Sequence, residues 1–126
     1  MKTSITKRYS FCSAHWLPHV PEEHKCHRIH GHNYEVEITI QAFGGFENGF
    51  VVDFWDLDAV VQPIIELVDH RTLNDVVGLT NPTAEVIAHW FIDRVDDELA
   101  GSQIICTKIV VHETNDSFAT VQKGSM

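Results

Sequence analysis

Hydrophobic and polar residues alternate in two segments near the N-terminus, which predicts two strands. Between Ile5 and His15 the odd positions form a largely apolar face that ends in a histidine. Between His32 and Phe43 apolar and polar residues alternate clearly. Because strand side chains alternate between two faces, His30 and His32 share the apolar face of the second strand. We therefore expect both imidazoles to point inward.

Two later segments carry apolar residues at helical spacing, which predicts two amphipathic helices. The apolar face of the first helix comprises Leu57, Val60, Val61, Ile64 and Val68. Asp53 or Asp56 is placed to cap its start. The second helix shows the same spacing from Ala84 to Val95, begins near Asn81-Pro82 and ends at Gly101.

Two β-rich runs complete the chain, from Ile104 to Thr114 and from Phe118 to Lys123. Asn115-Asp116 between them favours a hairpin. The predicted order is strand, strand, helix, helix, strand, strand (ββααββ), and a length of 126 residues indicates one domain over residues 1–126. The simplest architecture is α+β, with a four-stranded antiparallel sheet and two helices on one face. The exposed edges of such a sheet can pair with a neighbour, so we expect a homo-oligomer.

Composition narrows the class of protein. Nine basic and 18 acidic residues give a formal net charge of −9, which argues against nucleic acid as a partner. No apolar run approaches the ~20 residues of a membrane span, and the N-terminus lacks a secretory signal. Three widely spaced cysteines argue against a disulfide framework, so we expect a cytoplasmic protein. Cys12 and Cys106 lie in apolar runs and are predicted to be buried and inert.

Three histidines are the strongest chemical signal in the chain. His15 ends the first predicted strand, and His30 and His32 begin the second. These strand ends are adjacent in an antiparallel pair, so the three imidazoles can converge on one ion. Three imidazoles suit Zn²⁺ and leave a fourth position open for water or a substrate oxygen. Fe²⁺ or another divalent ion fits the same ligands, and a metal-free polar cluster is the alternative.

Cys26 lies in the predicted loop, four residues before His30. A nearby cation favours its thiolate, which can act as a general base or nucleophile above the metal. The same thiolate could instead be a fourth ligand that closes a structural site, and spacing alone does not decide. Lys25 and Arg28 flank it and could bind an anionic ligand. Further basic candidates are Lys7, Arg8 and Arg71, and the loop histidines expected to be solvated are His19, His24 and His27.

Two acidic positions carry further signals. Asp69 can orient His70 for proton transfer in the turn that ends the first helix, or for a site reached from outside. The alternative is a histidine that the helix dipole stabilises. Glu113 projects from a mostly apolar face and would suit the paired N–H groups of a pterin or guanine. The alternative for Glu113 is a solvated acid at the end of a strand.

A shared pattern runs through six segments, in order, along almost the whole chain. They are Phe11-Cys12-Ser13-Ala14-His15, Lys25-Cys26-His27-Arg28-Ile29-His30-Gly31-His32-Asn33-Tyr34, Gly49-Phe50-Val51-Val52-Asp53-Phe54, Leu67-Val68-Asp69-His70-Arg71-Thr72-Leu73-Asn74, Asn81-Pro82-Thr83-Ala84-Glu85 and Val111-His112-Glu113-Thr114. Together they resemble the 6-pyruvoyl-tetrahydropterin synthase and 6-carboxytetrahydropterin synthase family. That family has the tunnelling fold, whose order of strands and helices matches the predicted one.

The resemblance implies roles for the polar residues. It implies a catalytic zinc ion held by His15, His30 and His32. It makes Cys26 the proton-abstracting base and makes Asp69 with His70 a relay that activates it. Family members are typically hexamers with active sites between subunits, so the relay could approach Cys26 from a neighbouring protomer.

The resemblance also implies a pterin pocket. Glu113 would anchor the amino-pyrimidine edge of the pterin, and Thr83 and Glu85 match residues that line the pocket. Ala84 replaces a hydroxyl residue that is often found there, which removes one hydrogen bond to the ligand.

The short interval between Cys26 and His30 is similar to that of the 6-carboxytetrahydropterin synthases of queuosine biosynthesis. The resemblance therefore implies a zinc-dependent lyase that converts 7,8-dihydroneopterin triphosphate to 6-carboxy-5,6,7,8-tetrahydropterin, with release of acetaldehyde and triphosphate. Two alternatives stay open. One is a 6-pyruvoyl-tetrahydropterin synthase, and the other is a non-catalytic, zinc-stabilised pterin-binding protein.

Overall fold

The strands and helices follow the predicted order, with one additional short strand. The computed structural model describes residues 1–44 and 47–124. The strands are β1 (Ser4–His15), β2 (His30–Ala42), β3 (Arg71–Thr72), β4 (Ile104–His112) and β5 (Phe118–Gln122), and the helices are α1 (Phe54–Glu66) and α2 (Ala84–Leu99). Single 3₁₀ turns at Lys25–His27 and Leu73–Asp75 lie in the connections.

The five strands form one mixed sheet in the order β3-β1-β2-β4-β5. The pairs β1–β2, β2–β4 and β4–β5 are antiparallel, as predicted, but β3 runs parallel to β1. The prediction of a four-stranded antiparallel sheet is therefore wrong in strand number and direction, while the α+β class is confirmed. A strand of two residues, Arg71–Thr72, is too short to show a period-2 pattern, so only its pairing with β1 reveals it.

The long β1–β2 pair brings the ends of the two strands together. Its register places His15 opposite His30 and Ser13 opposite His32. Tyr9 and Phe11 on β1 and Tyr34 on β2 are buried on one face of the sheet, as the alternation predicts. Phe11 and Tyr34 stack with ring centroids 4.9 Å apart, directly beneath the histidine end.

Both helices pack on this buried face of the sheet. Phe91 of α2 lies 5.8 Å from Phe11, centroid to centroid, and Asp58 of α1 accepts a hydrogen bond from the Tyr9 hydroxyl at 2.7 Å. A cap fixes the start of each helix: the Asp53 carboxylate accepts from the Trp55 amide at 2.8 Å, and Thr83 caps α2. Neither described helix has the length and apolar character needed to cross a bilayer.

The two cysteines outside the loop differ in environment. Cys106 is fully buried, and desolvation raises the pKa of its thiol to about 11, so it is the inert core residue predicted. Cys12 is exposed, which contradicts its predicted burial. It follows Phe11 directly and therefore points to the opposite, solvent-facing side of β1. There its thiol donates to the Asn33 side chain at 3.1 Å.

Candidate active site

The three predicted histidines meet at one corner of the buried sheet face. The ligand atoms of His15, His30 and His32 all lie within 4.8 Å of one another. The Nε2 atoms of His15 and His30 are 3.0 Å apart. His15 is completely buried and the other two are half-buried. Among the described residues these three imidazoles form the one compact group of metal-ligand donors, and Cys26 does not belong to it.

Backbone carbonyls orient two of the three rings. His15 Nδ1 donates to the Pro82 carbonyl at 2.8 Å, and the Tyr34 hydroxyl oxygen, at 3.1 Å, is a second acceptor for it. His30 Nδ1 donates to the Arg28 carbonyl at 2.7 Å. Each Nδ1 therefore carries the proton, and a neutral ring presents a bare Nε2 lone pair toward the other. Such outer partners fix the tautomer and the ring direction of metal-binding histidines.

This arrangement fits a divalent cation. Two lone pairs facing each other at 3.0 Å repel unless a positive charge lies between them. His32 Nε2 is buried without a hydrogen-bond partner in the described part of the chain, so a third donor is also unsatisfied. Burial is the main factor that lowers the pKa of both His15 and His32, which favours the neutral form that binds metal. A single shared proton would satisfy two of these nitrogens, whereas a cation satisfies all three.

Glu113 lies beside the histidine group. Its Oε1 is 3.2 Å from His32 Nε2, but the two atoms are not aligned for a hydrogen bond. The carboxylate is half-buried, and its backbone amide donates to the Ser117 carbonyl in the β4–β5 turn. The structure thus places Glu113 next to the predicted metal ligands, on the same side of the sheet.

Cys26 occupies the 3₁₀ turn between β1 and β2. Its amide donates to His24 Nδ1 at 3.0 Å and its carbonyl accepts from the Leu17 amide at 2.8 Å, so the backbone around the thiol is fixed. The thiol is half-buried and has no hydrogen bond to the described residues. The absence of Cys26 from the compact donor group favours a free thiol over a fourth ligand.

The loop histidines have different environments. His19 and His24 are exposed, as expected. His27 is half-buried, with its ring 5.8 Å from that of Trp16, and its Nδ1 is buried. The prediction that His27 is solvated is therefore wrong, because the loop folds back onto Trp16.

Asp69 and His70 lie in the turn after α1, where the sequence predicted them. His70 Nδ1 is 2.9 Å from Asp69 Oδ1, which also accepts from the Cys12 amide at 3.0 Å. This backbone hydrogen bond is the main factor that lowers the pKa of Asp69. The His70 side chain is 81% exposed, so the pair faces solvent rather than the interior of its own chain.

The residues at the start of α2 differ in their contacts and exposure. The Thr83 hydroxyl accepts from the Val86 amide at 3.2 Å and caps the helix, while Glu85 is exposed in the first turn. The preceding Pro82 is buried, and its carbonyl accepts the hydrogen bond that orients His15. The N-terminus of α2 is therefore joined directly to the histidine group, which explains how this segment can form part of one site.

Ion pairs reduce the number of basic residues available for an anionic ligand. Lys7 binds the Asp58 carboxylate at 2.6 Å, and Arg8 lies 3.5 Å from Glu35 and 3.4 Å from Glu37. The candidates without a carboxylate within 4.0 Å in the described residues are Lys25, Arg28 and Arg71.

Three groups of this site were missed by sequence reasoning: the carbonyls of Pro82 and Arg28 and the hydroxyl of Tyr34. Two of them belong to the backbone, which carries no residue-specific signal. Tyr34 was assigned to the apolar face of its strand and did not stand out from its neighbours. Its parity with His32 was the available signal, since residues at i and i+2 share a face.

The chain is similar in sequence and in fold to known proteins. The family model described as 6-pyruvoyl tetrahydropterin synthase matches residues 4–124. The chain is 39% identical over 98 residues, 74% of both chains, to a 6-carboxy-5,6,7,8-tetrahydropterin synthase of Synechocystis. It is 35% identical over 101 residues to a dihydroneopterin monophosphate aldolase of Pyrococcus furiosus, which covers 80% of this chain and 82% of the relative. The fold matches the Caenorhabditis elegans 6-pyruvoyl tetrahydropterin synthase with a TM-score of 0.83 at 22% identity, over 98% of this chain and 97% of that one.

Proposed function

The chain belongs to the 6-pyruvoyl tetrahydropterin synthase family, and we propose that it is a 6-carboxytetrahydropterin synthase. The reaction is the conversion of 7,8-dihydroneopterin triphosphate to 6-carboxy-5,6,7,8-tetrahydropterin, with release of acetaldehyde and triphosphate. The observation that carries this proposal is the group of three converging imidazoles with Glu113 beside it. The relatives named for this activity in Synechocystis and Bacillus subtilis, at 39% and 30% identity, support it.

We assign the metal to His15, His30 and His32, and we propose Zn²⁺. Bound there, the ion would act as a Lewis acid that stabilises negative charge on a substrate oxygen. The chain's own contribution is orientation, because the carbonyls of Pro82 and Arg28 hold two rings with Nε2 facing inward. With three protein ligands, a coordination position stays open for substrate.

Cys26 is proposed as the base that removes a carbon-bound proton. A positioned base contributes about 10²–10⁴-fold to such a step. Asp69 and His70 would relay the proton. Because the His70 imidazole is exposed, we propose that it meets Cys26 of a neighbouring protomer in a homohexamer with active sites between subunits.

Glu113 is proposed to bind the amino-pyrimidine edge of the pterin, because a half-buried carboxylate accepts two parallel N–H groups well. Thr83 and Glu85 are proposed to line the same pocket. The hydroxyl of Thr83 already caps α2, so its share in binding is limited to its remaining hydrogen-bonding capacity.

The cellular role proposed is queuosine (deazapurine) biosynthesis in the cytoplasm. The thiols of Cys12, Cys26 and Cys106 are all free, which suits a reducing compartment. The Pyrococcus furiosus relative, at 35% identity, is named for an aldolase reaction on a monophosphate, so the product must be identified directly.

Product analysis by mass spectrometry tests the proposal. Zinc-loaded protein is incubated with 7,8-dihydroneopterin triphosphate, and 6-carboxytetrahydropterin, acetaldehyde and triphosphate are expected. Cys26→Ala should reduce turnover by at least about 100-fold, since it removes the base. Cys106→Ala, which removes a buried thiol outside the site, is the matched control and should keep its activity.

Each other outcome of this experiment leads to a different conclusion. Recovery of the pyruvoyl product alone would assign the chain to the second enzyme class, 6-pyruvoyl-tetrahydropterin synthase. Absence of turnover in fully loaded protein that still binds a pterin would favour a non-catalytic, zinc-stabilised binding protein. Full activity in Cys26→Ala would disprove the role of Cys26 while leaving the product assignment intact.

A further inference from the structure

The segment that carries Asp69 and His70 has an unusual backbone. The backbone of His70 has φ +55°, in the left-handed region that residues other than glycine rarely adopt. A residue adopts this conformation only where the surrounding contacts impose it. Such residues cluster at functional sites, where the surrounding structure holds them in place.

Contacts with β1 hold the segment on both sides of His70. The His70 amide donates to the Cys12 carbonyl at 2.6 Å, and the Cys12 amide donates to Asp69 Oδ1 at 3.0 Å. After His70, Arg71 pairs with Ser13 in the parallel β1–β3 ladder. These contacts involve the backbone of β1, which a substitution does not remove.

One side chain of β1 also takes part. The hydroxyl of Ser13 donates to the Val68 carbonyl, immediately before Asp69. Ser13 is 6% exposed and Val68 is completely buried, so water cannot replace this bond. Ser13 is also a polar residue on the buried face of β1, where burial without a hydrogen-bond partner would be costly.

We propose that Ser13 is a positioning residue for the Asp69–His70 pair. By fixing the Val68 carbonyl to β1, its hydroxyl sets where the chain turns into the left-handed conformation and thus the direction of the His70 imidazole. The catalytic consequence rests on the proposed function, in which His70 is part of the proton relay. The structural consequence, ordering of residues 68–70, does not depend on that function.

Amide hydrogen exchange tests the structural consequence on the intact protein. In Ser13→Ala the protection of the His70 amide should fall by about 10-fold, the effect of losing one buried hydrogen bond of ordinary strength. Ser10→Ala, on the exposed face of the same strand, is the matched control and should leave that protection unchanged. Ser13→Thr keeps a hydroxyl and should retain most of it.

Kinetics tests the catalytic consequence. Ser13→Ala should lower kcat by roughly 10-fold with little change in KM, because the relay is displaced and the pterin contacts are not. Ser13→Thr should recover most of kcat. If Ser13→Ala does not fold, Ser13→Cys, which offers a weak donor of similar size, takes its place.

The outcomes separate this inference from the proposed function. Wild-type His70 protection in Ser13→Ala, or equal defects in Ser13→Ala and Ser13→Thr, would overturn the positioning role. A wild-type protein without turnover would overturn the proposed function, and the exchange result would still decide the role of Ser13.

Discussion

At the scale of single residues, the site depends on groups that do not contact the proposed metal. The carbonyls of Pro82 and Arg28 decide which nitrogen of His15 and His30 carries a proton. They leave Nε2 of each ring directed at the other, and His32 adds a third unsatisfied nitrogen. The three rings are therefore organised for a cation before one binds, which reduces the cost of ordering them on binding.

Loss of one of these rings should abolish tight metal binding. His32→Ala should weaken zinc binding by more than about 100-fold, the upper end of the effect of removing even an outer partner of a ligand. Competition with a chromophoric chelator measures this affinity. His19→Ala, which removes an exposed histidine of the loop, is the control and should bind zinc normally. Equal affinities in the two variants would contradict the assignment.

Residue chemistry was the part of the site that the sequence predicted best. The three histidines converge because strand parity and antiparallel pairing follow from local alternation. The sequence did not reveal that Glu113 lies 3.2 Å from His32, since Glu113 follows β4 and His32 belongs to β2, far away in the chain. The catalytic roles of the three histidines and of Glu113 stay predictions.

At the scale of elements, one polar cluster joins α1 to β1. Lys7 binds both carboxylate oxygens of Asp58, at 2.6 and 2.8 Å, and the Tyr9 hydroxyl donates to the same group at 2.7 Å. The hydrogen bond from Lys7 is the main factor that lowers the pKa of Asp58, and the bond from Tyr9 adds to it. This cluster fixes the position of α1 on the sheet.

The stability conferred by Asp58 should depend on pH. Because its pKa is lower in the folded chain, its contribution is complete above the unfolded value of about 4 and is lost as the pH falls through the folded value. Asp58→Asn should therefore cost about 1 kcal/mol at pH 7, allowing for partial exposure, and less at pH 3. Urea unfolding measures both values.

The matched control for this prediction is Asp93→Asn, an equal change of charge on the exposed side of α2. It should change the free energy of unfolding little at either pH. A cost of Asp58→Asn that is the same at pH 7 and pH 3 would show that the charge of Asp58 does not stabilise the α1–β1 contact.

Element boundaries were predicted where a local signal marks them. Asp53 caps α1 as expected, and Gly101, with φ +80°, follows the last turn of α2. The second helix begins two residues later than Asn81-Pro82 indicated, because the Thr83 hydroxyl provides the cap. Val68 shares the apolar spacing of α1 but lies beyond its end at Glu66, in the turn that leads to His70.

At the scale of the whole molecule, the sheet leaves edges open for pairing with other chains. β3 covers only the end of β1, opposite Ser13 and Ala14, and β5 forms the other edge. Phe118 at the start of β5 is 61% exposed. These features support the proposed homo-oligomer, because unpaired strand edges and exposed aromatic residues favour association.

Complementation between variants tests whether active sites form between subunits. Cys26→Ala and His70→Ala should each be inactive alone. After subunit exchange in equal mixture, roughly a quarter of the sites would combine an intact Cys26 with an intact His70 from a neighbour, and activity should return to that level. Size-exclusion chromatography with light scattering gives the subunit number. Mixed oligomers without activity would show that both residues act within one chain.

The sequence by itself determined the α+β class, the pairing of the two long strands and the histidine group, because short-range alternation encodes which face each side chain occupies. Only the tertiary structure decided the parallel addition of β3 and the contacts of Pro82, Ser13 and Glu113. The His15–Pro82 bond joins residues 67 positions apart, and the Ser13–Val68 bond joins residues 55 positions apart. No local pattern specifies such contacts, since they arise only when the packing of the helices on the sheet brings distant backbone groups together.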